Sequence, residues 1–148
     1  MKTVYNSMYK SVFILLLFSS SLFASSYRQV EGTYKEADYK VQVYWADIYN
    51  FRPTKKHFMK TTVKVRPSSD YQRNGHCELE QGRQNQTSAT GEFTINKKHV
   101  RAFSLKCNFR SAKDKSMLTI DQSFRVEQET KSKKGPFERP LIIKPVKN

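Results

Sequence analysis

Three residues spaced two apart, His76, Glu78 and Glu80, are of the types that carry out general acid–base chemistry. Alternate residues of a strand point to the same face, so a strand here would place one imidazole beside two carboxylates. Such a set suits phosphodiester cleavage, in which one group removes a proton, another donates one, and a Lys or Arg stabilises the developing charge. An ordinary exposed strand face has the same composition, so the three residues are weak catalytic candidates.

No other pattern in the chain points to catalysis or to a bound cofactor. The nucleophile motif Gly-x-Ser-x-Gly does not occur, and the five glycines form no phosphate-binding loop. The spacing of Cys77, His99 and Cys107 matches no zinc site. We therefore expect no cofactor and no metal, and the sequence favours a protein that is not an enzyme.

A short segment near the C-terminus resembles part of a known enzyme family. Residues Phe137–Ile142 resemble the Glu-x-Pro strand of small fungal guanyl-specific ribonucleases over six residues. Those enzymes need a further Arg and a His downstream, and Ile143–Asn148 contain neither. The chain is not assigned to this family, and a small secreted ribonuclease or ribonuclease-like effector is retained as an alternative function.

Basic residues are concentrated in two stretches of a chain whose formal net charge is +14. Residues 52–73 and residues 93–115 each hold seven Lys or Arg and a single Asp. If the strands in them are neighbours, they form one continuous basic face for an acidic protein or a polyanion, such as nucleic acid or an anionic surface glycan or lipid. The alternative is a solvated surface whose lysines protect sheet edges. The predicted binding residues are Lys55, Lys56, Lys60, Lys64, Arg66, Lys97, Lys98, Arg101 and Lys106.

Alternation of apolar and polar residues with a period of two is the main structural signal. It predicts strands over 39–45, 58–65 and 117–126, and a hairpin around Asn96–Lys98. Gly32 is predicted to form an early turn, and the polar stretch 82–91 an exposed loop. The sequence predicts an all-β fold, or α+β with one short helix, arranged as a small antiparallel sandwich or barrel.

The chain has two cysteines, Cys77 and Cys107. An even number of cysteines in an exported chain predicts a disulfide. Cys107 shares its predicted strand face with Phe103, Leu105 and Phe109, so the bond is expected on the inner side of the sheet.

Residues 1–24 have the three-part layout of a secretory signal peptide, with Lys2 and Lys10 ahead of an apolar run and small residues after it. The apolar stretch Val12–Ala24 is shorter than the roughly 20 residues of a membrane-spanning helix. We expect no transmembrane anchor after cleavage and a secreted or periplasmic location. The predicted mature chain comprises a basic β-rich domain at 25–127 and, at 128–148, a Lys-rich linker and an extended segment. Within this segment Leu141–Ile143 is either an edge strand, which we favour, or a docking segment.

Together these features favour an exported, non-enzymatic basic binding protein of the inhibitor, immunity or effector type. Besides the ribonuclease, a second alternative is a cell-envelope assembly factor that docks through its C-terminal segment. The sequence specifies no oligomeric state.

Overall fold

A computed structural model describes residues 26–49, 57–130 and 139–147, and strands make up most of these residues. At 26, 27, 48, 49, 57 and 58 it describes the backbone alone. None of the described residues is helical, and so no helix among them is long and apolar enough to cross a membrane. The described residues form nine strands in chain order: β1 (Ser26–Lys35), β2 (Tyr39–Tyr49), β3 (His57–Pro67), β4 (His76–Gln81), β5 (Gln84–Ser88), β6 (Glu92–Ile95), β7 (Ala102–Arg110), β8 (Met117–Gln128) and β9 (Leu141–Val146).

The chain divides into two compact units, and the strand pairing described below belongs to the second. The first unit comprises Met1–Tyr27 and Ile48–Phe58, and the second comprises Arg28–Asp47 and Met59–Asn148. Of the first unit, the structure describes only the backbone at the ends of β1, β2 and β3. The signal-peptide prediction for residues 1–24 lies outside the described residues.

Two antiparallel sheets form the second unit. The first sheet has the strand order β1-β2-β3-β6, and the second has the order β5-β4-β7-β8-β9. In the first sheet Thr61 of β3 pairs with Ile95 of β6, and in the second Cys77 of β4 pairs with Cys107 of β7. The predicted all-β antiparallel sandwich is confirmed.

A single hydrophobic core lies between the sheets, because each strand turns alternate apolar residues inward. The predicted alternation is confirmed in β2, β3 and β8, where buried apolar residues alternate with more exposed residues. Both sheets contribute to one cluster: Val30, Val41, Val43, Trp45, Val63, Val65, Phe93 and Ile95 from the first, and Cys77, Leu79, Val100, Phe103, Leu105, Cys107, Phe109, Ile120, Phe124, Val126, Leu141 and Ile143 from the second sheet and the turn before it.

Two predicted connections are wrong. The stretch 82–91 is not a loop, because Gln84–Ser88 forms β5, which pairs with β4 from Cys77↔Ser88 to Gln81↔Gln84. Gly82, at φ 60°, supplies the positive φ that a two-residue hairpin turn requires. The segment around Asn96–Lys98 is not a hairpin turn, because β6 lies in the first sheet and β7 in the second.

The C-terminal segment is an edge strand, as favoured above. β9 pairs with β8 from Ser123↔Val146 to Gln128↔Leu141, and Leu141 and Ile143 are buried in the core. The predicted turn at Gly32 is wrong, because Gly32 lies within β1. A side chain there would collide with the backbone carbonyl of Leu141, so the glycine allows β1 and β9 to approach each other.

The disulfide between Cys77 and Cys107 is present. The two residues are directly opposite each other on β4 and β7, with Cα atoms 4.1 Å apart, and both are buried. The bond thus joins neighbouring strands on the inner face of the second sheet, as predicted.

Replacement of Gly91 by alanine is expected to lower the free energy of unfolding by about 2 kcal/mol or more. Gly91 has φ 73°, and a Cβ there would lie 2.6 Å from the carbonyl oxygen of Val65. Gly82→Ala is the matched control, since Gly82 has φ 60° but open space around it. Urea unfolding of both variants separates the cost of the backbone conformation from that of the collision. Equal losses would show that the close approach to Val65 contributes nothing.

Candidate cationic site

The structure separates the predicted basic residues into three groups. Lys64 and Arg66 lie on the outer face of the first sheet, and Lys60, further along the same strand, belongs with the second group. Lys97, Lys98 and Arg101 lie in the connection from β6 to β7. Lys106 lies on the outer face of the second sheet, and Lys55 and Lys56 lie outside the described residues. Lys106 therefore does not belong to the continuous basic face predicted for neighbouring strands, because β7 and β3 lie in different sheets.

The first group, Lys64 and Arg66, interacts with other residues of the protein. The guanidinium of Arg66 lies 2.7 Å from a carboxylate oxygen of Glu92 and donates a second hydrogen bond to the carbonyl of Thr90 at 3.0 Å. The ammonium of Lys64 lies 3.6 Å from Glu92 and 5.3 Å from the ring centre of Tyr44. The hydrogen bond from Arg66, together with Lys64, lowers the pKa of Glu92. Lys64 and Arg66 therefore hold β3 against β6 and have less freedom to meet a ligand.

The second group forms what we term the cationic corner: Lys60, Lys97, Lys98 and Arg101. Lys97, Lys98 and Arg101 are exposed and Lys60 is half-buried. Because Thr61 pairs with Ile95, Lys60 lies at the same end of the first sheet as the turn that follows β6. None of the four forms a salt bridge with any residue that the structure describes. Their charges are therefore available to an external anion.

Buried hydrogen bonds fix the backbone of this corner. The side chain of Thr61 is fully buried, and its hydroxyl donates to the carbonyl of Lys97 and accepts from the amide of Val100, both at 3.2 Å. The indole of Trp45 donates to the carbonyl of Val100 at 3.2 Å. The amide of Val126 donates to the carbonyl of Arg101 at 2.8 Å. The backbone of the turn is thus tied to β2, β3 and β8 before any partner binds.

His99 lies at the centre of the turn, and its pKa responds to the charges around it. Its φ is 49°, a left-handed conformation that is uncommon outside glycine. Its ring stacks on Trp45 with centroids 4.5 Å apart. Burial, and then the charges of Lys98 and Arg101, lower the pKa of His99, while Asp47 opposes them. Lys98 and Arg101 therefore act on the pKa of this ring more strongly than Asp47 does.

Lys106 has a different environment from the corner. In the strand register it lies between Glu78 of β4 and Asp121 of β8. Alternating charges across three strands are typical of a sheet face stabilised by cross-strand pairs. The structure therefore does not bring Lys106 together with the other predicted binding residues.

The catalytic candidates share the outer face of the second sheet, as their spacing predicts. His76 Nε2 lies 3.1 Å from Glu78 Oε1, and the two side chains are 60% and 53% exposed. Glu80 lies opposite Asn85 and Ser104 in the register. A shallow cavity of about 270 Å³ next to them includes Glu78, Glu80 and Lys106 in its lining. Both members of the His76–Glu78 pair face water, and the cationic corner belongs to a different part of the fold.

Among residues 26–49, 57–130 and 139–147, no group of three His, Cys, Asp or Glu side chains is arranged to hold a metal ion. No protein-family model matches the chain, and neither the curated proteins nor the solved structures include a significant match.

Proposed function

We propose that the chain is an exported, non-enzymatic binding protein that docks on an anionic macromolecule through the cationic corner. The observation that carries the proposal is a set of four cations without salt bridges to the described residues. Three of them lie on a turn that Thr61 and Trp45 brace, and Lys60 lies on β3 at the same end of the sheet. A basic surface that serves only solubility needs no such bracing, because flexible lysines are solvated equally well.

Charge contrast between the surfaces supports a directed interaction. The corner contributes four cations, whereas the outer face of the second sheet interleaves Lys106 with Glu78 and Asp121. A polyanion that approaches this protein is attracted most strongly where cations outnumber the neighbouring acids, and among the described residues of the corner four cations lie near one acid, Asp47. We therefore expect the partner to be oriented by the corner.

The proposal is tested by the affinity of the purified chain for fluorescein-labelled heparin, measured by anisotropy across a salt series. Binding to a linear polyanion releases counterions, so the affinity is expected to fall steeply as salt rises. Polyphosphate and poly-glutamate, used in the same assay, compare phosphate and carboxylate partners. If none of the three binds at low salt, a polyanion is not the partner.

One observation favours a ribonuclease as the second candidate, namely the contact between His76 and Glu78. The exposure of this pair argues against efficient proton transfer, since both side chains are more than half exposed to water. We expect labelled single-stranded RNA to remain intact on a gel with the wild-type chain and with His76→Ala alike. Cleavage by the wild-type chain that disappears in His76→Ala would establish the nuclease and refute the non-enzymatic proposal.

The assembly-factor alternative needs a C-terminal segment that is available for docking. β9 pairs with β8 along its length and contributes Leu141 and Ile143 to the core. Release of β9 to a partner would expose both side chains. The pairing and burial of β9 therefore favour docking through the cationic corner over docking through the C-terminal segment.

A further inference from the structure

A cavity opens beside the cationic corner, at the end of the sandwich where the turn from β6 to β7 lies. Its volume is about 240 Å³. For comparison, a cavity of about 150 Å³ inside a protein accommodates benzene. The space is thus sufficient for a small organic molecule or a short alkyl chain.

One side of the cavity is apolar. Val30 of β1, Trp45 and Ala46 of β2, and Met59 of β3 line it. Val30, Trp45 and Ala46 are buried and Met59 is half-buried. A surface of this kind favours an apolar group over water, because transfer of that group from water is favourable in proportion to the area covered.

The polar side of the cavity borders the cationic corner, and the described residues of its lining carry one cation and one acid. Lys98 and His99 line it, together with Asp47 and Gln128. Lys98 and Arg101 shift the pKa of His99 downward more than Asp47 shifts it upward. A negative group held at this side would lie next to Lys98, within a turn whose backbone is fixed by Thr61.

We infer that this cavity binds a small amphipathic anion, with the apolar body against Val30, Trp45, Ala46 and Met59 and the anionic group beside Lys98. The apolar side selects for a hydrocarbon or aromatic body, and the cations of the corner, which outnumber Asp47, select for a carboxylate, sulfonate or phosphate. The site goes beyond the proposed docking on a macromolecule, since heparin has no apolar body to fill the cavity.

The position of Trp45 provides a specific readout, because it is the one tryptophan of the chain and it lines the cavity. The intrinsic fluorescence of the full chain is followed during titration with octanoate, 1-octanol or octylammonium, each below its micellar concentration. The three probes share an alkyl chain and differ in the charge of the head group. We expect a saturable change in Trp45 emission with octanoate, weaker binding of 1-octanol, and the weakest binding of octylammonium.

Two variants test the role of Lys98. Lys98→Glu is expected to weaken octanoate binding about tenfold and to leave 1-octanol binding nearly unchanged. Lys113→Glu, in the turn between β7 and β8, is the matched control for net charge and is expected to bind octanoate as the wild type does. Both side chains are exposed, so both variants are expected to fold, and urea unfolding verifies this.

The inference is overturned if octanoate causes no saturable change in the emission of Trp45. Equal affinity for the three probes would leave an apolar cavity without anion selectivity, which also contradicts it. Equal weakening by Lys98→Glu and Lys113→Glu would assign the effect to net charge alone and remove Lys98 from the site. Heparin binding is measured separately, so either proposal can fail while the other stands.

Discussion

Reversal of the four cations of the corner to glutamate (Lys60→Glu, Lys97→Glu, Lys98→Glu and Arg101→Glu) is expected to lower the affinity for heparin by about a hundredfold or more at low salt. Each reversal removes one attraction and adds one repulsion, and four such changes act on the same stretch of polyanion. The salt dependence of the remaining binding should be shallower, because fewer counterions are released. Anisotropy titrations with labelled heparin measure both quantities.

The matched control reverses four cations elsewhere: Lys106→Glu, Arg110→Glu, Lys113→Glu and Lys115→Glu. These side chains are exposed, and the change in net charge is identical. This control is expected to bind heparin with an affinity much closer to that of the wild type, since it alters only the long-range field. Similar losses in the two variants would show that net charge, and not the corner, determines binding.

Loss of the disulfide is expected to lower the free energy of unfolding by about 3–4 kcal/mol in the chain-entropy model. The bond joins residues separated by 30 positions, so the reduced unfolded chain gains considerable conformational freedom. The two sulfur atoms are buried in the core, and reduction leaves two thiols at the centre of the second sheet.

Urea unfolding with and without a reducing agent measures this effect. The double variant Cys77→Ala with Cys107→Ala is the control, and its stability should not respond to the reductant. If the wild type loses no stability on reduction, the disulfide does not contribute to the fold. A disulfide is compatible with an oxidising extracellular or periplasmic compartment.

The sequence predicts those strands that have one apolar and one polar face. It does not predict a strand whose two faces are both polar. In β3 the inward residues Thr61, Val63 and Val65 alternate with outward polar residues, so the pattern is visible. In β5, Gln84–Ser88, both faces are polar because the strand lies at the edge of its sheet. Its stability comes from backbone pairing with β4, which leaves no signal in the side chains.

Glycine gives an ambiguous local signal. The prediction of a turn at Gly32 rests on the conformational freedom of glycine. The structure uses a different property of the same residue, its lack of a side chain, where β9 approaches β1. A glycine in a turn between strands and a glycine at a close approach of two strands both have strand-like sequence on either side. Only the tertiary arrangement distinguishes them.

The basic residues of the candidate site can be identified in the sequence, but which of them are neighbours in the fold cannot. The lysines are evident from composition, yet whether a strand joins the first or the second sheet decides which of them are neighbours. Lys106 belongs to β7 in the second sheet, while Lys60 belongs to β3 in the first. In the sequence Thr61 is one polar residue among apolar ones. Its hydrogen bonds with Lys97 and Val100 join segments more than 30 residues apart, so the sequence pattern does not predict them.

Docking through the cationic corner is tested most directly by lysine acetylation footprinting of the unaltered chain with and without heparin, read out by mass spectrometry. The proposal predicts that heparin protects Lys60, Lys97 and Lys98 and leaves Lys106, Lys113 and Lys115 as reactive as in the free protein. Protection spread evenly over the lysines, or concentrated on Lys106, Lys113 and Lys115, would contradict a role for the corner.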